Sequence, residues 1–167
     1  MRIRALETLE HSGQLRALVR EYLAHELTEL KRVSGLELDL DVLVANTFDD
    51  IDAYLPPTGR LFLAMGEGEK LLGCVFLKRI RPDAGEVKRL YVLPSARGLG
   101  LGRSLMEGLL REARHMGARS MLLDTGIYDT EAQELYRKLG FREIGYYPEG
   151  ENDPELIPYL VYMQLDF

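Results

Sequence analysis

Residues 97–102 read Arg-Gly-Leu-Gly-Leu-Gly, and an amphipathic stretch follows directly. At Gly98, Gly100 and Gly102 there is no Cβ to keep a ligand from the backbone, so successive amide N–H groups can converge on an anion. A helix beginning here adds the positive end of its dipole. Arg97 and Arg103 bracket the turn with fixed charge, Leu99 and Leu101 alternate with the glycines, and Ser104 falls in the first helical turn. That chemistry is the holding of a pyrophosphate by main chain. Spacing narrows the ligand. A P-loop, G-x-x-x-x-G-K-[ST], counted from Gly98 needs glycine where the chain has Arg103. The dinucleotide pattern G-x-G-x-x-G needs glycine at Arg103 or at Leu105. Neither fits, and a dinucleotide fold usually carries this turn after its first strand rather than this deep into the chain.

An apolar strand over about 87–93, stopped by Pro94, leads into the turn. Leu101, Leu105, Leu109 and Ala113 then line one face of a helix over 100–116, with Glu107 and Arg111 as an i,i+4 pair opposite and Gly117 as its C′ residue. Upstream, residues 1–6 alternate as a first strand. Leu15, Leu18, Val19, Tyr22, Leu23, Leu27 and Leu30 make one face of a long helix ended by Gly35. Leu40, Leu43, Val44, Thr47 and Ile51 suggest a second helix stopped by Pro56-Pro57. Residues 61–65 and 71–80 flank Gly66-Glu-Gly68-Glu-Lys70 as a hairpin. Downstream come a short strand at 120–123, a capping box Thr130-x-x-Gln133 opening another helix, and Gly140 closing it with Phe141 folded back on Tyr136. Residues 141–147 and 159–165 read as final strands. The order predicts an α/β fold. A mixed, twisted sheet of about seven strands carries helices on both faces, and the strands on either side of the glycine turn run parallel.

Length favours one domain over residues 1–167. Apolar residues make up 46% and charged residues 29%, which suits a packed core. No apolar run approaches the ~20 residues of a spanning helix, and the N-terminus lacks a signal-peptide core. Cys74 is the one cysteine and reads as a small buried hydrophobe, so no internal disulfide forms and a cytoplasmic location is expected. The net charge of −6 argues against a nucleic-acid surface. Acidic residues concentrate in the first 59 positions and at Glu149, Glu151, Asp153 and Glu155. Such charge is either a solvated face or a field that draws a cationic substrate.

The spacing that does fit the turn is [R/Q]-x-x-G-x-[G/A], as Arg97-x-x-Gly100-x-Gly102. With it the chain resembles the GNAT superfamily of N-acetyltransferases. Glu86-Val-Lys-Arg-Leu-Tyr-Val-Leu-Pro94 is similar to that family's fourth strand, and Ala132-Gln-Glu-Leu-Tyr-Arg-Lys-Leu-Gly-Phe141 to its fourth helix and following turn. The likeness is good over 60–167 and general before that. It implies that the fourth and fifth strands are splayed with a pantetheine arm in the gap. Acetyl-CoA would then be the co-substrate, without a metal. Main-chain groups of Leu90, Tyr91 and Val92 would meet the pantetheine, and residues 97–104 the pyrophosphate. It also implies direct acetyl transfer to the amine of a small molecule, with no nucleic acid or membrane as partner and with a homodimer open. Transfer of another acyl group, a hydroxyl acceptor, or a non-catalytic acyl-CoA-binding module are the alternatives.

Transfer to an amine needs a base and an acid. At neutral pH, freeing an amine of pKa ~10.4 costs about 4–5 kcal/mol. Period-2 alternation puts Glu86, Lys88, Leu90 and Val92 on one strand face, making Glu86 a candidate general base; the alternative is an ion pair with Lys88 or Arg89 on the surface. In the resembled family a phenol at the position of Tyr136 sits near the coenzyme sulfur and protonates the thiolate; the alternative is a packing aromatic. Many relatives carry Asn where this chain has Asp129, so the usual amide contact to pantetheine is not expected. Asp124-Thr125 is either an acceptor contact or turn chemistry. His11, His25 and His115 are scattered and suggest no metal site.

Overall fold

The computed structural model describes residues 1–167. Strand β1 (Arg2–Leu6) is followed by helices α1 (Ser12–Ser34) and α2 (Leu40–Asp49). Then come β2 (Gly59–Met65), β3 (Leu71–Arg81), β4 (Ala84–Val92), α3 (Leu101–His115), β5 (Ser120–Gly126), α4 (Thr130–Lys138), β6 (Arg142–Ile144) and β7 (Leu160–Asp166). The strands form one seven-stranded sheet in the order β1-β2-β3-β4-β5-β7-β6, and only β4 and β5 pair in parallel.

Alternation along the strands builds two cores. Val75, Leu77 and Val87 face α3, where Leu105 and Leu109 are fully buried; Cys74, Phe76 and Tyr91 face α1 and α2. Burying each such leucine contributes ~1.5–3 kcal/mol, so these faces fix the helices to the sheet. The helix ends form as their sequences require. Gly35 takes φ 75° and donates to the Lys31 carbonyl. Asp39 accepts from the amides of Asp41 and Val42 at the start of α2. Gly117, at φ 85°, donates to Arg114 while Ala118 donates to Ala113, a Schellman closure.

Four local expectations change. First, β4 carries a bulge. Cys74 pairs with Tyr91 but Phe76 with Lys88, so β4 has one extra residue, and Arg89 sits at φ 54°. The bulge reverses the phase of the strand. Glu86 and Lys88 stay on the α1 side, Leu90 and Val92 pack against the α3 core, and Tyr91 crosses to the α1 side. The expected common face of the four residues is therefore broken at Arg89. Cys74 Sγ donates to the Arg89 carbonyl across the bulge at 3.3 Å, and burial pushes this thiol up to about 12.

Second, Thr130 and Gln133 form no capping box. Asp129 is the N-cap, its own carbonyl taking the Gln133 amide, and the Gln133 side chain donates instead to the Gly126 carbonyl at 3.0 Å. Third, Glu107 pairs with Arg103 at 2.8 Å rather than with Arg111. Fourth, β6 stops at Ile144 and β5 runs on to Gly126. The chain leaves the sheet after Ile144 because the Tyr147 ring turns inward, edge-on to Tyr162 with centroids 5.6 Å apart.

Candidate active site

The site begins where the sheet comes apart. β4 and β5 pair only through Ala84–Ser120, Gly85–Met121 and Glu86–Leu122. Each then follows its outer neighbour: β4 stays with β3 up to Val92, and β5 stays with β7 up to Gly126. The bulge at Arg89 and the divergence together open a V. Its apex is tied by Lys88, whose Nζ lies 2.9 Å from Glu86 Oε1 and 3.0 Å from Asp124 Oδ2.

The glycine turn closes the wide end of the V. Gly98 and Gly100 adopt φ 75° and 73°, the left-handed region that a side chain makes costly, and Gly100 is the N-cap of α3. Ser104 N–H is the first amide of α3 to find a helical carbonyl, that of Gly100 at 3.0 Å. The amides of residues 101–103, ahead of it, have no helical carbonyl to meet and are free to face an anion. The Arg97 guanidinium lies over the Tyr91 ring, with Nε 3.3 Å from the Val92 carbonyl. A cavity of about 640 Å³ is lined by Leu90, Tyr91, Val92, Arg97, Gly98, Gly100, Leu101, Gly102 and Arg103 on this side, and by Tyr22, Glu26, Tyr128 and Asp129 opposite. Leu99, 57% exposed, and Ser104 stand outside that lining.

A smaller cavity of about 50 Å³ continues toward the apex, sharing Tyr22, Leu90, Asp129 and Ala132 with the first and adding Lys88, Arg89, Asp124, Thr125 and Tyr136. Tyr136 is buried against Phe141, ring centroids 5.8 Å apart. Burial, with Asp129, Asp124 and Glu26 nearby, raises its phenol above the ordinary range.

The acetyltransferase (GNAT) family matches residues 20–141. The chain belongs to this family. It is 36% identical over 130 residues to an IAA acetyltransferase of Azospirillum brasilense, covering 77% of this chain and 81% of that one. It is 32% identical over 169 residues to an uncharacterized N-acetyltransferase of Schizosaccharomyces pombe, covering 98% and 93%. Its fold matches that of the PaiA N-acetyltransferase of Thermoplasma acidophilum, solved in complex with coenzyme A, with a TM-score of 0.68 at 15% identity over the whole of both chains. The chain is thus an acyl-CoA-dependent acetyltransferase, and its mixed sheet with a parallel, splayed β4–β5 pair is the GNAT architecture.

In this GNAT enzyme Glu86 is 1% exposed. Besides Lys88, its Oε1 accepts from Tyr147 Oη at 2.7 Å. Burial raises the Glu86 carboxyl above its usual range, opposed by Lys88 and the Tyr147 hydrogen bond. Burial alone would lower Lys88; the Asp124 and Glu86 carboxylates outweigh it and hold the ammonium above its ordinary value. Asp124 also accepts from Asn152 at 3.2 Å. The pairing with Lys88 is therefore real but deep in the protein, roofed by the 147–152 segment, rather than on the surface. Of the four acidic residues over 149–155, two are matched by bases on β3: Glu149 by Arg81 at 3.1 Å and Glu151 by Lys78 at 3.3 Å.

Sequence reasoning missed Tyr22, Glu26, Tyr128 and Tyr147. Tyr22 and Glu26 are one turn apart on α1, and Tyr128 Oη meets Glu26 across the V at 3.2 Å. No spacing in the chain relates position 26 to 128 or 86 to 147; the crossing of α1 over the β5–α4 connection makes the first contact, and the return of the β6–β7 connection over β4 makes the second.

Proposed function

We propose that the protein is an N-acetyltransferase that moves the acetyl group of acetyl-CoA directly to the amine of a small molecule. The observation that carries this reading is the continuity of the V. One passage runs from the free amides of the glycine turn, past Leu90, Tyr91 and Val92, to the unpartnered phenol of Tyr136. In this reading the amides of 101–103, with Arg97 and Arg103, take the pyrophosphate, and the Leu90–Val92 main chain, left unpaired by β5, takes the pantetheine amides. The thioester then lies in the 50 Å³ cavity, which suits an acetyl group. Tyr136 protonates the departing sulfur; a phenol above its usual range stays protonated until the thiolate forms. Glu86 holds Lys88 and Tyr147 in place beneath the site. Cys74 is no nucleophile: it is buried, its pKa is high, and it is engaged with the Arg89 carbonyl, so transfer passes through a ternary complex. A cytoplasmic location agrees with the single unpaired cysteine.

The test is release of free thiol from acetyl-CoA across polyamines, amino sugars, amino acids and peptides at two salt concentrations. Cationic amines are expected to work best, with kcat/KM falling as salt rises. An anionic best acceptor, or no thiol release with any amine, overturns the reading.

A further inference from the structure

Helix α1 roofs the open V through Glu26. Tyr128 Oη donates to the Glu26 carbonyl at 3.3 Å and lies 3.2 Å from its Oε2. This brings carboxylate oxygens of Glu26 and Asp129, and a ring nitrogen of His25, within 4.8 Å of one another. Glu26 lines the large cavity, and Asp129 lines both cavities at their junction.

We infer that the Glu26–Asp129 pair is the docking point for the acceptor's ammonium group, and that Glu26 is the base that takes its proton. The inference rests on the amine-acetyltransferase reading above.

Two carboxylates this close and partly desolvated do not both stay ionised without a cation. The groups facing them are Tyr22, His25 and Glu29 on α1, Arg89 on β4, Thr125 and Tyr128 around the end of β5, and Tyr136 on α4. Arg89 bears on Glu26, but its guanidinium is turned to Thr47 Oγ1 at 3.1 and 3.3 Å. Thr125 gives Asp129 a long hydrogen bond of 3.4 Å. The pair therefore carries one negative charge and one proton, and has room for an ammonium. An independent feature points into the same space. Tyr136 is 6% exposed, its phenol has no hydrogen-bond partner, and it lines the small cavity with Asp129. Glu86, by contrast, already accepts from two donors beneath Lys88.

Burial first, and then the Asp129 carboxylate, raise Glu26 to about 8. An ordinary carboxylate is mismatched with an ammonium of pKa ~10.4 by about a millionfold in proton affinity; a base near 8 reduces that to a few hundredfold. In the proposed step Glu26 first releases its resting proton to solvent, which a pH near 8 and the arriving ammonium charge both favour; the ammonium then gives one proton to the Glu26 carboxylate, the freed lone pair forms the C–N bond at the thioester carbonyl, and the C–S bond breaks. The sulfur takes a proton from Tyr136, which recovers one from the nitrogen through water.

Carbon-13 NMR titration of side-chain carboxyls in the purified protein tests this, alongside pH profiles of kcat/KM for whichever amine gives thiol release. Glu26 is expected to titrate near pH 8 and, in Asp129→Asn, about one unit or more lower. The rising limb of kcat/KM is expected to move down with it. Glu26→Gln removes that limb and lowers kcat/KM about 10²-fold, while its acetyl-CoA affinity is kept. Titration of Glu26 in the ordinary carboxylate range overturns the inference whatever the activity. So does a limb that neither variant moves. Absence of thiol release with every amine removes the acetyltransferase reading and this inference with it, and the titration shows separately whether the pair exists.

Discussion

The two ends of the V are made of different material. At the end proposed for the pyrophosphate the atoms on offer are main-chain N–H groups of residues 101–103, set by two glycines with positive φ and a helix that starts at once. At the end proposed for the acceptor they are side chains from four separated segments: Tyr22 and Glu26, Glu86 and Lys88, Asp124 to Asp129, and Tyr136. A backbone site is specified locally and admits few alternatives, because only glycine meets its conformational demand cheaply. A side-chain site is specified by what packs across the gap, so it can be rewritten without touching the fold. That is where enzymes of one architecture come to differ in acceptor.

The contrast is broken first at the glycines. Gly100→Glu puts a side chain on a left-handed residue and a negative charge where the phosphate belongs. It is expected to lower kcat/KM for acetyl-CoA at least about 10³-fold, well beyond the ~5–150-fold of a typical coupling between sites. Gly102→Ala should be nearly silent: its Cβ meets Leu135 Cδ2 at an ordinary 3.5 Å. Equal losses in the two variants, read by steady-state kinetics, would mean that glycine counts here only for space.

At the other end, Tyr136→Phe is expected to lower kcat by roughly 10²-fold with little change in the KM for acetyl-CoA, since the phenol acts on charge that develops at sulfur. An unchanged kcat makes Tyr136 a packing residue. A third effect is on stability. Folded Glu26 keeps its proton up to about pH 8, whereas an unfolded glutamate releases it near ~4.3. Between those values the folded state binds the extra proton, so this residue makes stability fall as pH rises through that window. Glu26→Gln should then melt above wild type at pH 8 and level with it at pH 4, in thermal scans at both pH values. The smallest effect belongs to the rim. Glu151→Gln removes an exposed pair with Lys78 and should change stability by under ~1 kcal/mol in chemical denaturation.

The geometry of the glycine turn was legible in the sequence almost whole. Glycine spacing, the Pro94 stop and the apolar face of α3 are all local, and Gly35, Gly117 and Gly140 close their helices as expected. The parallel β4–β5 pair follows from a strand-helix-strand order. What stayed hidden is non-local or cancels locally. The bulge at Arg89 has no glycine to announce it, so alternation put Leu90 and Val92 on the wrong face. Thr130-x-x-Gln133 has capping-box spelling, but the buried Gln133 side chain is drawn to the Gly126 carbonyl. Glu26 sits beside an apolar helical stripe like any solvated acid, and only Tyr128 and Asp129, a hundred residues away, make it otherwise.

The most direct measurement is calorimetric titration of acetyl-CoA into wild type, Gly100→Glu and Glu26→Gln, each confirmed folded by circular dichroism. If backbone holds the coenzyme and side chains handle the acceptor, Gly100→Glu shows no binding heat and Glu26→Gln binds within about threefold of wild type, a difference under ~1 kcal/mol. Near-normal affinity in folded Gly100→Glu would contradict the assignment of the glycine turn as the pyrophosphate site.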